Sequence, residues 1–544
     1  MKIIIVGGVA AGASAATKAR RVNEQAEIII LEKGPYVSFA NCGLPYYVGG
    51  DIAKKDNLLL VTPELFQQRF RIEVRLQHEV LAIDAQAKTL TVQSAAGNYA
   101  EGYDKLVLAT GAEPARPPLP GIDLPQVFTV STVPDAEAIV NALTAGVQSA
   151  VIVGGGFIGL ETAEALLKKG IKTTLVQRGK QLANNFDAEF SLPLEKHLQE
   201  MGLDIVLGDS LIKILGEESV EAVELGDGRQ LSTDMVIMAV GVKPRIQLAQ
   251  SAGLQLGQTG GVLVDASMQT TDPSIYAAGD LVEALHLVSR KKVRIPLAGS
   301  ASKQGRVAGA NAAGGKLLFK GVLGTAIIKV GELTVARSGL SEKEAEELGI
   351  DYFVAYTPAG SHAAYYPGSQ GMIIKLTAES ITGQLLGAQV IGRRGVDKRI
   401  DVLATAIYAR LSVFDLENLD LAYAPPYGAA KDPVIMAGMI AANMVRGDVT
   451  QITPQQLREL QAQPGVIVLD VRTPQEFSKG AVAGAINIPV DELRMRYQEL
   501  DSAKKVLVYC RTGYRSNLAH LFLRQQGFNA SNVSGGYLAY SMDV

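Results

Sequence analysis

One plan occurs twice in the chain. "KIIIVGGVAAGASAATKARR" followed by "EIIILEKG" returns in outline as "SAVIVGGGFIGLETAEALLKKG" followed by "KTTLVQRGK". In each copy a short apolar run meets a glycine turn, a helical stretch and a second apolar run, which is the pattern of a strand–helix–strand unit. Parallel strands joined by a crossover helix are covered on both faces, so the expectation is an α/β chain built on buried parallel sheets. The second turn, Gly154, Gly156 and Gly159, satisfies G-x-G-x-x-G; the first, Gly7-Gly8-Val9-Ala10-Ala11-Gly12, carries Val9 at the middle glycine. Glycines there let a phosphate reach backbone N–H groups at a helix N-terminus. Packing glycines alone are the competing reading, but Glu32 at the end of the next strand supplies the acid expected for ribose hydroxyls. Two units therefore predict two dinucleotide sites.

At about 100 to 200 residues per domain, 544 residues call for three or four domains. "YDKLVLATGAEPARPPLPG", with Ala109, Thr110 and Gly111, is a strand and turn leading into a Pro-rich crossover; "TDMVIMAVGVKP", with Gly241, closes the second unit. "TDPSIYAAGDLVE", with Gly279 and Asp280, looks like a return to the first domain, which is then discontinuous. The expected division is 1–115 with 245–318, 116–244, a strand-rich α+β segment 319–446, and a last domain 451–544 opened by Thr453 as N-cap and Pro454 as first helical residue. A net charge of -3 gives no reason to expect nucleic acid, and no apolar run approaches the ~18 residues of a membrane span. Two cysteines make no disulfide framework, so a reducing, cytoplasmic setting is expected, with no metal site.

The paired loops, Ala109-Thr110-Gly111 and the stretch from Thr271 through "IYAAGD" resemble the two-dinucleotide flavoprotein disulfide reductases over about residues 1–443. The resemblance implies FAD on Gly7, Gly8, Val9, Ala10, Ala11, Gly12, Glu32, Lys33, Ala109, Thr110 and Gly111, with Gly279 and Asp280 at its ribitol. It implies NAD(P)H on Gly154, Gly156, Gly159, Gln177 and Gly241. The family often has an acid where Gln177 stands; with Arg178 next, NADPH stays open beside NADH.

"SFANCGLPYY" holds Cys42, and Tyr46 and Tyr47 stand where the better-known reductases have a second cysteine. A lone thiol near a flavin suits a mixed disulfide, persulfide or sulfenic acid, against the alternative of a buried structural cysteine. The segment is similar to the active loop of coenzyme A disulfide reductases, a single-cysteine branch. Its peroxidase relatives carry a histidine where this chain has Ala10. Ser14, Lys18 and Arg21 share one helix face. By itself that is a solvated face, but the resemblance makes these residues, with Ser38, Asn41 and Lys431, a coenzyme A site. It also implies a homodimer in which Tyr365 and Tyr423 reach the partner's cysteine, Tyr366 and Tyr427 being close competitors.

The last segment carries "VIVLDVRTPQEFSKGAVAGAINIP", "KKVLVYCRTGYRSNLAHLFLRQQGF" and "VSGGY". A strand enters Cys510 and a helix starts near Ser516, so backbone N–H groups and Arg515 surround the sulfur. This resembles the rhodanese sulfurtransferases, although Ala481 replaces a frequent histidine. Related phosphatases keep five residues between cysteine and arginine; here four separate Cys510 from Arg515. Together the resemblances imply NAD(P)H-dependent reduction of coenzyme A persulfide or polysulfide sulfur to sulfide at Cys42, with sulfane sulfur carried on Cys510. A coenzyme A disulfide reductase maintaining thiol pools is the alternative enzyme, and a non-catalytic flavin redox sensor the alternative class.

Overall fold

The computed structural model describes residues 1–542, so Asp543 and Val544 of the expected last domain lie outside it. Two compact units form, one from Met1–Leu182 and Gln199–Val322, the other from Ala183–Leu198 and the chain from Leu323 onward. In the first unit a parallel sheet runs in the order Ile275–Ala277, Lys105–Leu108, Lys2–Val6, Glu27–Glu32, Ile72–Leu76. Its strands from Ile275–Ala277 to Glu27–Glu32 are apolar and largely buried, whereas the edge strand Ile72–Leu76, which carries Glu73 and Arg75, is only partly so. The helices Ala10–Val22 and Ala298–Ala312 pack closely because Gly305 and Gly309 lack side chains: a Cβ on them would meet Ala11 O at 2.1 Å and Ala15 O at 2.0 Å. A second parallel sheet runs Asp204–Leu207, Lys172–Gln177, Ser149–Val153, Met235–Met238, Val127–Phe128.

In the second unit an antiparallel sheet runs Ala326–Val330, Leu333–Gly339, Leu385–Gly392, Gly371–Glu379, Tyr352–Gly360. Residues 183–198 pack with this unit, although they lie within the 116–244 range expected for the second nucleotide domain. The reason is ionic: Lys375 Nζ, wholly buried, lies 2.8 Å from Asp187, 2.5 Å from Glu189 and 2.5 Å from Glu342. A parallel sheet follows, ordered Gln451–Ile452, Ala530–Val533, Lys505–Tyr509, Val466–Asp470, Ile486–Asn487. Thr453 caps the helix Pro454–Leu460 in a reciprocal box with Gln456. This last sheet is tied to the antiparallel one, since the Tyr356 N–H donates to Ser534 Oγ at 2.9 Å. Among the described residues no helix is long and apolar enough to cross a membrane.

Candidate active sites

The two glycine turns are solved the same way. Gly7 (φ 98°) and Gly154 (φ 110°) lie in the left-handed region, and a Cβ on either would fall 2.3 Å from a carbonyl oxygen, of Ala109 and Ala239 respectively. A Cβ on Gly12 or Gly159 would come within 1.8 and 2.0 Å of the Gly7 and Gly154 carbonyls. At the middle position they differ: Gly156 has open space beside its Cα, where a diphosphate can lie against the start of the helix Phe157–Lys168, while the first loop has Val9 before the helix Ala10–Val22. Glu32 accepts the Gly8 N–H at 2.7 Å and the Gly34 N–H at 2.8 Å, so the acid braces its loop. Gln177 Oε1 takes the matching Gly155 N–H at 3.0 Å. Gly279 (φ 89°) lies against helix Ala10–Val22, and Asp280 beside it has its pKa raised by burial, with Arg294 opposing. Both cradles fit a dinucleotide by room and by donor chemistry.

Cys42 lies in a single helical turn, Asn41–Gly43, that runs into the short helix Leu44–Gly49. It is free and open to solvent, yet the protein around it and the charges of Glu161 and Asp280 push its thiol pKa up. Ser38 holds this loop to the first glycine turn: its N–H donates to Gly8 O at 2.8 Å, its carbonyl accepts from Leu60 at 2.9 Å, and its φ is 49°. The Asn41 amide donates to Ser131 O at 3.1 Å. Tyr46, one of the tyrosines in place of a second cysteine, donates to Glu161 Oε1 at 3.2 Å. On helix Ala10–Val22, Ser14 and Lys18 are half-buried, and Arg21 is exposed with Nε on Thr17 O at 2.9 Å.

In the second unit the phenols of Tyr365 and Tyr423 are 2.9 Å apart and both exposed, as is Lys431. Their loops share a buried frame: Arg399 donates to Ser361 O at 2.9 Å and to Asp432 Oδ2 at 2.8 Å. Cys510, 1% exposed, directly follows the strand Lys505–Tyr509. Its sulfur takes the Gly513 N–H at 3.2 Å and faces Ser516 Oγ at 3.4 Å, ahead of the helix Tyr514–Gln525. Gly536 closes the cradle from behind, since a Cβ there would fall 2.5 Å from Cys510 O.

Residues 1–305 match the pyridine nucleotide-disulphide oxidoreductase family. This chain belongs to that family. Residues 325–432 match its dimerisation domain and 453–543 the rhodanese-like domain. The chain is 37% identical to the NAD(P)H coenzyme A polysulfide/persulfide reductase of Pyrococcus horikoshii, across 81% of this chain and 98% of that one. Its structure is similar to the reduced CoADR-RHD of Bacillus anthracis (TM-score 0.97, 42% identity, 100% and 98% of the two chains). It is also similar to the NAD-dependent persulfide reductase of A. fulgidus (TM-score 0.93, 38%, 99% and 100%).

As a pyridine nucleotide-disulphide oxidoreductase the chain uses FAD and NAD(P)H, and the two cradles are where the residues fit them. Three expected contacts have protein partners in this structure: Asn41 with Ser131, Gln177 with Gly155, and Arg515 with Glu476, the last by two bonds of 2.7 Å. Sequence reasoning missed Glu161, whose signal is an acid two residues past Gly159 on the nucleotide helix, and Glu476, inside "TPQEF".

Proposed function

We propose that this oxidoreductase reduces the sulfane sulfur of coenzyme A persulfide or polysulfide to sulfide with NAD(P)H, and that Cys42 takes the sulfur while Cys510 carries it. One observation carries the reading: both cysteines are free, one open to solvent beside the nucleotide cradles and the other enclosed in a backbone cradle. Cys42 thus takes a partner from solution. Its thiolate attacks one sulfur of the persulfide; attack on the outer sulfur releases the thiol, and attack on the inner one releases hydrosulfide. Bound FAD supplies the two-electron link between NAD(P)H and that sulfur. Overall, RSSH + NAD(P)H + H⁺ gives RSH + H₂S + NAD(P)⁺.

Ser14, Lys18, Arg21, Ser38, Asn41 and Lys431 hold coenzyme A in this reading, the cations meeting its phosphates. The phenol pair Tyr365 and Tyr423, reaching from the partner of a homodimer, donates to the departing thiolate. The dimerisation domain supports that assembly. Steady-state NADH oxidation with coenzyme A persulfide and with coenzyme A disulfide tests the proposal. Faster persulfide turnover, abolished in Cys42→Ser and lowered with polysulfide in Cys510→Ser, is expected. Faster disulfide turnover with a harmless Cys510→Ser indicates the disulfide reductase, and negligible turnover with either indicates a sensor.

A further inference from the structure

The sequence places two arginines on the Cys510 loop, Arg511 and Arg515, in "CRTGYRS". Two free guanidinium groups would make this a strong anion site. One of them is not free. Arg515 grips Glu476 fork to fork, Nη1 on Oε2 and Nη2 on Oε1, both at 2.7 Å. Glu476 is itself fixed, because Oε2 also takes the Thr473 N–H at 3.1 Å and the Thr473 hydroxyl at 3.2 Å as the third residue of a capping box. The Arg515 bond, helped by Thr473, lowers its carboxyl pKa to about 2, so the carboxylate is charged at any physiological pH. Arg515 also keeps a side-chain interaction with the Cys510 sulfur, so the sulfur meets the Gly513 N–H, the Ser516 hydroxyl and a guanidinium whose charge Glu476 already balances, while the Arg511 side chain is exposed.

Such a cradle suits a transferable sulfur atom better than the charged group it leaves behind. With thiosulfate, the Cys510 thiolate bonds to the outer sulfur and dianionic sulfite departs with the S–S bonding pair, so the site must hold a compact dianion. With an organic persulfide the same attack expels a thiolate, and with polysulfide a shorter polysulfide, whose charge is spread over large sulfur atoms. Neither transfer requires an added oxidant or reductant. We infer that Glu476 is a specificity-determining residue of the Cys510 site: by occupying Arg515 it steers sulfur loading toward persulfides and polysulfides and away from thiosulfate. This rests on the reading of Cys510 as the sulfur carrier.

Glu476→Gln in the full-length holoenzyme is the test, since glutamine keeps the capping box and removes only the charge. Sulfur transfer to coenzyme A is measured with thiosulfate and with inorganic polysulfide. The expected result is about a tenfold rise in kcat/KM for thiosulfate, mostly through KM, with polysulfide changed less than about threefold. Adding Arg515→Ala should remove the gain. Parallel changes with both donors, or no thiosulfate gain, overturn the assignment and leave Glu476 a structural brace. Mass spectrometry of the unsubstituted protein separates the two layers: if neither donor adds a sulfur to Cys510, the carrier reading itself fails.

Discussion

Tyr46 donates its phenolic hydrogen to Glu161 at 3.2 Å, which places a carboxylate from the nucleotide helix beside the loop of the reactive thiol. Burial and the nearby Glu164 raise the Glu161 pKa while the Tyr46 bond works against them, and the Glu161 charge in turn helps to raise the Cys42 pKa. Glu161→Gln removes that charge and should lower the midpoint of the pH–alkylation profile of Cys42 by a few tenths to about one unit. Iodoacetamide labelling read by peptide mass spectrometry measures it. An unchanged or raised midpoint would show that Glu161 does not act on the sulfur.

Gly7 and Gly154 answer the same packing problem, so alanine at each should damage its own cradle and spare the other. The added Cβ faces a carbonyl oxygen at 2.3 Å in both, on backbone that alanine rarely adopts. Gly7→Ala is expected to purify with flavin content reduced several-fold, by its visible spectrum. Gly154→Ala should keep its flavin and show a KM for NAD(P)H raised about tenfold or more. Equal flavin loss in the two variants would contradict separate sites.

How much was legible follows from distance along the chain. The glycine turns and the Thr453 box are local patterns, in which residues a few positions apart decide the backbone, and the sequence shows them directly. Cys42 and Cys510 stood out because only two cysteines exist. Glu161, Glu476 and Lys375 act on residues 115, 39 and up to 188 positions away. Each reads as an ordinary surface charge until the fold brings its partner. The same limit explains Asn41 and Arg515, whose residue types were read for ligand binding although Ser131 and Glu476 also meet them.

Gln177 offers a test of nicotinamide preference. Its Oε1 is committed to the Gly155 N–H, which leaves its amide N–H₂ as the part able to meet the adenosine ribose, and the exposed Arg178 follows. Gln177→Glu keeps an acceptor for Gly155 and adds a negative charge. The ratio of kcat/KM for NADPH to that for NADH should fall about tenfold, through repulsion of the 2'-phosphate. A ratio that stays constant would place the 2'-position away from this side chain.

Lys375 is the cation on which Asp187, Glu189 and Glu342 converge, and Tyr356, whose phenol donates to Glu189 at 2.6 Å, gives its N–H to Ser534 in the last domain. Burial alone would lower the Lys375 pKa, but Tyr356 and the three carboxylates outweigh it and hold the ammonium charged. Lys375→Met leaves those acids close together without a cation and should cost about 3–5 kcal/mol of stability at neutral pH, measured by denaturant unfolding. Adding Glu342→Gln to this variant removes one of the crowded charges and should recover part of the loss. No recovery would mean that Lys375 acts through packing, and that the carboxylates are not what it neutralises.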